Sequence, residues 1–211
     1  MRSYGSDLRK SHITVDIVLG LGALHACGFG HGDIKTSNIL IQDHASRSIV
    51  AKISDFTGAG PLSTFGQASH STFGTSIWEP PEVLFRDQDD SPVECQAADV
   101  YSLGMVIATI WCRQGFIPEG GTFLDPVMAY DLDQPAKDLV AGIWKHQCDD
   151  APQSVMNIAK QMAGNRDWAP IPVLAILSHT LSSIPEQRLD TMGVIAGDLR
   201  PFMEQNERAI M

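Results

Sequence analysis

The sequence predicts an α+β domain that is predominantly helical and contains one short β-hairpin. Two observations favour this fold class: two long segments have the apolar pattern of helices, and two short β-branched runs lie between them. The chain has 211 residues, of which 44% are hydrophobic, and this is enough to bury one core. We therefore expect a single domain over residues 1–211.

The first predicted helix covers Ile13 to His25, because its apolar residues fall at three- and four-residue intervals along one helix face. The second covers Ala97 to Trp111 and is hydrophobic nearly all round, which is typical of a helix at the centre of a core. From Asp125 to Asn206, amphipathic patches alternate with prolines. The part of the chain after the second helix is therefore expected to be helical.

The predicted hairpin is formed by two runs rich in β-branched residues, Ile39 to Ile41 and Ile49 to Ile53. The polar stretch from Gln42 to Ser48 separates them and supplies the turn. The segment from Pro61 to Ser76 is rich in serine, threonine and glycine and has no sustained period. We expect it to be a long loop with a functional role.

The composition restricts the classes of partner. The formal charge of -10 and the pI of about 5.0 argue against nucleic acid and anionic membranes as partners. Protein surfaces that bind such polyanions carry an excess of lysine and arginine. The four cysteines are far apart and lack a zinc-site pattern, so we expect buried thiols. No secretory leader is visible, and the longest apolar stretch is about half of a membrane span. A soluble, intracellular, cytoplasmic protein is expected.

A cluster of polar residues follows the first helix, in the segment His31 to Asn38. It contains a carboxylate at Asp33, a lysine two residues later at Lys35 and an amide at Asn38. If the loop curls back on itself, these groups converge. Such a set can accept a proton, neutralise a phosphate and bind a cation through the amide oxygen.

A second carboxylate, Asp55, follows the second predicted strand in the segment Ile53 to Gly58. The hairpin returns Asp55 to the neighbourhood of Asn38. A carboxylate and an amide oxygen that face each other suit Mg²⁺, which is a hard cation. The sequence therefore predicts a metal site that uses Asn38 and Asp55.

These segments resemble the catalytic loop H-R-D-L-K-x-x-N and the metal loop D-F-G of eukaryotic-type protein kinases. The likeness continues in the same order downstream, over roughly residues 13–203. Phe73 to Glu82 is similar to the segment that ends in A-P-E, and Ala98 to Gly104 to the start of the central helix. Pro185 to Arg188 is similar to the late arginine motif.

The resemblance implies the C-terminal lobe of a kinase and assigns roles to five residues. Asp33 would be the base that deprotonates the acceptor hydroxyl, and Lys35 would contact the γ-phosphate of ATP. Asn38 and Asp55 would hold Mg²⁺, and Leu40 would form the floor of the adenine pocket. The partner would be a protein substrate or a regulatory protein.

The resemblance also implies structural roles and the kind of acceptor. His31 would bond the backbone around the metal loop, Asp99 would anchor the catalytic loop, and Glu82 would form a buried ion pair with Arg188. Lys35, together with Gly74 and Thr75, resembles serine/threonine kinases more than tyrosine kinases.

Three features depart from the family pattern. Gly32 replaces the arginine of H-R-D, which removes the cation that reads a phosphorylated loop. Thr57 replaces the glycine of D-F-G and restricts the backbone there. Before Ile13 there is no N-terminal β-lobe, no glycine-rich loop and no phosphate-bridging lysine. We therefore expect a truncated kinase domain that is inactive as an isolated chain.

Two other functions remain open on the sequence. The chain could be a non-catalytic pseudokinase or scaffold module, which the missing lobe and Thr57 favour. The pattern H-G-D-x-x-x-x-N also resembles small-molecule phosphotransferases of the aminoglycoside and choline kinase type. That class lacks the A-P-E-like segment and its arginine partner, both of which this chain has.

Overall fold

Helices make up most of the described structure. The computed structural model describes residues 4–45, 48–62, 78–84, 94–112, 171–182, 184–188, 195–201 and 204. Its helices are α1 Tyr4–Ala26, α2 Pro81–Leu84, α3 Cys95–Cys112 and α4 Ile171–Thr180, and residues 195–201 are also helical. Both helices that the apolar pattern predicts are confirmed, and each is longer than predicted.

Four strands form two small antiparallel sheets in the described residues. The first sheet pairs β1 Phe29–Gly30 with β4 Gly60–Pro61, and the second pairs β2 Ile39–His44 with β3 Ser48–Ile53. The second sheet confirms the predicted hairpin. The first was not predicted, because strands of two residues have no period that a sequence pattern can reveal.

The β2–β3 hairpin lies on α1. The buried side chains Ile39 and Ile41 alternate with half-buried neighbours along β2, as expected for a strand with one face towards a core. The Asp16 carboxylate of α1 accepts a hydrogen bond of 2.8 Å from the Ala51 amide of β3. This bond fixes the position of β3 along α1. The next residue, Lys52, is exposed to solvent as predicted.

α3 lies in the middle of the core, and its side chains are buried along almost its whole length. It contacts α1 through Trp111, whose indole Nε1 donates to the Thr14 hydroxyl over 3.1 Å. The Lys10 ammonium lies 5.8 Å from the centre of the same ring. Aromatic rings attract cations over such distances, so this contact also holds α1 against α3.

Gly104 lets α3 and α4 approach closely. A Cβ atom added to Gly104 would overlap the Thr180 hydroxyl and would lie 2.8 Å from the Leu181 side chain. Both neighbours are fully buried, so neither has free space into which to move. The spacing of these two core helices therefore depends on glycine at this position.

Arg188 joins three segments of the chain. Its buried guanidinium binds both carboxylate oxygens of Glu82, over 2.5 and 2.8 Å, and so confirms the predicted pair. It also donates to the carbonyls of Ser182 and Ala97, and it lies 5.0 Å from the centre of the Tyr101 ring. These contacts connect the chain after α4 to α2 and α3.

Some sequence-based expectations lie outside the described residues: the loop beyond Leu62, the segment 113–170 and the environment of Cys148. One expectation about the cysteines was wrong, because Cys27 is exposed after the end of α1, whereas Cys95 is buried as expected. In the described ranges, no helix has both the length and the apolarity needed to span a bilayer.

Substitution Gly104→Ala should destabilise the fold. The extra methyl group overpacks the contact between α3 and α4, and overpacking costs about 1–3 kcal/mol. Gly197→Ala is the matched control, because a Cβ atom at this exposed helical position meets nothing within 4 Å. It should leave stability unchanged or raise it by up to about 1 kcal/mol. Urea unfolding of both variants checks this, and equal stabilities would contradict the close approach.

Substitution Glu82→Gln should also destabilise the protein, because it leaves the buried Arg188 guanidinium without its counter-charge. Loss of one partner of a buried pair costs about 3–5 kcal/mol, and the partial exposure of Glu82 places the expected value at the lower end. The neutralising control is Glu204→Gln, at an exposed helical position. Its stability should change by less than about 0.5 kcal/mol. Chemical denaturation measures both.

Candidate active site

The loop after β1 is held by Asp99 of α3. This buried carboxylate accepts hydrogen bonds from the amides of His31, over 2.7 Å, and Gly32, over 2.9 Å, and lies 2.9 Å from His25 Nε2. The anchoring role expected of Asp99 is confirmed. Gly32 has a φ of 75°, a left-handed conformation that glycine adopts without strain.

His31 connects this loop to the segment after β3. Its Nε2 lies 3.1 Å from the Ser54 carbonyl, and its Nδ1 lies 3.3 Å from the Asp33 amide. A carbonyl only accepts and an amide only donates, so Nε2 is the donor and Nδ1 the acceptor in these two contacts. The centre of its ring lies 5.2 Å from the centre of the Phe56 ring, and the two ring planes are inclined at 60°. The backbone-bonding role expected of His31 is thus confirmed.

Asp33, Lys35 and Asn38 converge as the sequence predicts. Asp33 Oδ2 lies 2.6 Å from the Lys35 ammonium and accepts a bond of 3.1 Å from the Asn38 amide nitrogen. The same nitrogen donates to the Asp33 carbonyl over 2.8 Å. Asp33 Oδ1 is buried and has no hydrogen-bond partner among the described residues. Oδ2 is therefore held by two partners, whereas Oδ1 is buried without a hydrogen-bond partner among the described residues.

The hairpin brings Asn38 and the segment around Asp55 together. Ile39 pairs with Ile53, and Ser54 donates to the Asn38 carbonyl through its amide over 2.8 Å and its hydroxyl over 3.0 Å. Asp55 is the next residue. Since both Asn38 amide hydrogens point towards Asp33, the amide oxygen faces away from that contact. The return of Asp55 to Asn38 by the hairpin is thus observed.

The oxygens of Asn38 and Asp55 fit Mg²⁺ in their chemistry. An amide oxygen and an exposed carboxylate are hard ligands, and Mg²⁺ often takes only one or two protein carboxylates and completes its shell with water and phosphate. No group of three or more histidine, cysteine, aspartate or glutamate side chains suited to a metal occurs in the described ranges.

Thr57 holds the Asp55 side chain. The Thr57 hydroxyl donates to Asp55 Oδ1 over 2.6 Å, and the Thr57 amide lies 3.4 Å from the same oxygen. Asp55 has a φ of 63°, and it precedes a single 3₁₀ turn, Phe56–Gly58. The hydrogen bonds from the hydroxyl and the amide of Thr57 lower the pKa of Asp55. The sequence pattern indicated only a restriction of the backbone at Thr57.

Leu40 lies on β2, two residues after Asn38. Its side chain is half-buried and alternates with the buried Ile39 and Ile41. Leu40 therefore points to the face of the hairpin opposite the core. The structure places Leu40 beside the loop that carries Asn38, and its role at the adenine stays a prediction.

Glu79 is a titratable residue of the site that the sequence pattern did not reveal. It is half-buried between Trp78 and Pro80. Burial raises its pKa to about 7, and repulsion by the Asp33 carboxylate adds to the effect. The signal in the sequence was an acidic residue inside the A-P-E-like segment. The site therefore holds, besides Asp33 and Asp55, a carboxyl group with a pKa near neutral pH.

Comparison with known proteins relates this chain to protein kinases. The family described as "Protein kinase domain" matches residues 4–195. The chain is similar to a probable serine/threonine-protein kinase, PkwA, of Thermomonospora curvata, with 30% identity over 79% of this chain and 22% of that protein. It is also similar to dual specificity testis-specific protein kinase 1 of Homo sapiens, with 26% identity over 84% of this chain and 27% of that protein.

A third similar protein has a different kind of name. It is atrial natriuretic peptide receptor 2 of Anguilla japonica, which is 34% identical over 53% of this chain and 10% of that protein. The chain spans about a quarter of the length of the first two relatives. The part that matches is therefore one segment of larger proteins.

Replacement of Glu79 by glutamine should change the dependence of stability on pH. Since the pKa of this carboxyl rises from 4.5 to about 7 on folding, the folded chain keeps a proton that the unfolded chain releases in that window. The free energy of unfolding of the wild type should thus fall between pH 4.5 and 7. Glu79→Gln lacks this loss and should gain stability relative to wild type as pH rises. Urea titrations at pH 5 and 8 test this, with Glu204→Gln as the control.

Proposed function

This chain belongs to the protein kinase domain family, and we propose that its site transfers the γ-phosphoryl group of ATP, with Mg²⁺, to serine or threonine hydroxyls of proteins. The observation that carries the proposal is the Asp33 carboxylate, which has one oxygen bound by two partners and the other buried without a partner. A base needs a carboxylate that its neighbours hold at a fixed position and that is not fully occupied by hydrogen bonds.

Asp33 acts as the base in this proposal. Its carboxylate accepts the hydroxyl proton of the protein substrate, while Lys35 and Asn38 hold that carboxylate in place. The Lys35 side chain is 21% exposed, so its ammonium can extend towards a phosphate without leaving the vicinity of Asp33. Phosphoryl transfer depends mainly on position and on charge stabilisation, and these residues supply both.

Asn38 and Asp55 would hold the metal, and Leu40 would form the floor beneath the adenine. When bound, Mg²⁺ neutralises the charge of the phosphates. Support for this assignment comes from the oxygen ligands, from the two bonds between Ser54 and Asn38, and from the outward direction of Leu40 on β2. ATP and Mg²⁺ are thus the cofactors of the proposed reaction.

Residues 1–211 supply only part of the phosphate-binding elements that kinase catalysis uses. Among the 211 residues, no glycine-rich loop and no phosphate-bridging lysine precede α1. Such elements contribute much of the phosphate clamp in kinases. We therefore propose that residues 1–211 by themselves have little or no activity, and that the activity belongs to a protein in which an N-terminal lobe completes the clamp.

The choice of serine or threonine as acceptor rests on Lys35 and on the name of the bacterial relative. The human relative is named a dual specificity kinase, so tyrosine is the competing acceptor. Small-molecule acceptors are less well supported. The Glu82–Arg188 pair connects the A-P-E-like segment to the rest of the domain, and the aminoglycoside and choline kinase type lacks both partners.

A second candidate is a non-catalytic module. One relative is named as a receptor and carries no kinase in its name, and Gly32 and Thr57 depart from the kinase motifs. In that case the domain would bind a protein partner without phosphoryl transfer. The test below separates the two functions, because it measures transfer and nucleotide binding independently.

Substitution Asp33→Asn should abolish most phosphoryl transfer in a fusion that carries a kinase N-terminal lobe ahead of Tyr4. Loss of a general base costs about 10²–10⁴ in rate, whereas thermal stabilisation by ATP and Mg²⁺ should persist. Radiolabelled ATP and serine, threonine and tyrosine peptides provide the assay. Asp43→Asn, at an exposed carboxylate of β2, is the control and should retain full activity.

Two results would count against catalysis by this site. Undiminished transfer by Asp33→Asn would show that another group is the base. Binding of ATP and Mg²⁺ without any transfer by the unmodified fusion would favour the non-catalytic module. A transfer to aminoglycosides or choline but not to peptides would support the third class.

A further inference from the structure

We propose that Thr57 is a positioning residue for the metal: its hydroxyl fixes the Asp55 carboxylate so that Oδ2 alone is presented to the cation. This inference rests on the proposed function, since it assumes that Asp55 binds Mg²⁺. It adds a residue at which the sequence departs from the family motif. It also gives that departure a purpose other than restriction of the backbone.

The first argument is the geometry of the contact. The distance of 2.6 Å between the Thr57 hydroxyl and Asp55 Oδ1 is short for a hydrogen bond between oxygens, as is usual when the acceptor is charged. The Thr57 amide lies at 3.4 Å, beyond the usual range for such a bond. The hydroxyl, rather than the backbone, therefore supplies most of the restraint on this side chain.

The second argument concerns what the contact leaves free. Both Thr57 donors approach Oδ1, and no hydrogen bond to Oδ2 is recorded in the described part of the chain. The carboxylate is exposed, so without a restraint it would rotate among several rotamers. Hydrogen bonds to ligating carboxylates orient them, and their loss commonly lowers metal affinity about 10–100-fold. For a solvent-exposed bond we expect a smaller loss, about threefold to tenfold.

The third argument is the rigidity of the surroundings. Asp55 follows Ser54, which is bonded to both Asn38 and His31, and precedes Phe56, which packs on the His31 ring. The backbone on both sides of Asp55 is thus fixed. The remaining freedom is the rotation of the Asp55 side chain, and this is the freedom that the Thr57 hydroxyl removes.

The test uses the full 211-residue chain and Mn²⁺ alone as the probe, with free Mn²⁺ measured by electron paramagnetic resonance. Thr57→Val keeps the shape but removes the hydroxyl, and its dissociation constant for Mn²⁺ should rise about threefold to tenfold. Thr57→Ser keeps the hydroxyl and should remain within about twofold of wild type. The matched control Thr109→Val removes a threonine hydroxyl that bonds within α3, and it should leave the constant unchanged.

Rescue by serine separates positioning from general damage to the fold, and circular dichroism melts verify that all variants are folded. If Thr57→Val binds Mn²⁺ like wild type, or if serine fails to rescue a folded protein, the positioning role is wrong. Asp55→Ala decides the assumption beneath it. Unchanged binding by Asp55→Ala would overturn the metal assignment together with this inference, whereas loss there with normal binding by Thr57→Val would overturn this inference alone.

Discussion

The carboxylate of Asp99 is buried in α3, and its oxygens accept hydrogen bonds from the His31 and Gly32 amides, while the His25 ring lies against it. Burial of a charge costs free energy unless hydrogen-bond donors satisfy it. Displacement of the loop would therefore leave the Asp99 carboxylate without these donors. α3 is itself fixed by the core. The position of the loop is therefore set by a buried helix of the core, and the His31 ring connects the loop to the Ser54 carbonyl.

The two carboxylates of the site share one design. Each has one oxygen held by neighbours in the chain and one without a hydrogen bond among the described residues: Asp33 is held by Lys35 and Asn38, and Asp55 by Thr57. In both cases the holding group lies within five residues, so the restraint is local. The distance between the two carboxylates is set differently, by the β2–β3 register and by the Ser54 bonds to Asn38.

The sequence predicted the parts of the fold that repeat and the parts that a motif encodes. α1 and α3 follow from the arrangement of their apolar residues, and the hairpin follows from its two β-branched runs. The contacts of Asp99 and Arg188 follow from a resemblance of motifs. What was missed depends on distances that no period encodes. The pKa of Glu79 reflects burial and a carboxylate far away in the chain. The Thr57 hydroxyl bonds Asp55 across a turn in which Asp55 has a left-handed backbone conformation, and no sequence pattern indicates that conformation.

Gly32 lowers the conformational strain of this loop. At a φ of 75° an L-amino acid would add about 1–2 kcal/mol of strain, which Asp99 would have to hold in place. Glycine removes that strain, so the loop keeps its shape without drawing on the stability of the core. Arginine at this position would supply a cation but would reintroduce the strain. The cation and the relaxed loop are therefore alternatives at position 32.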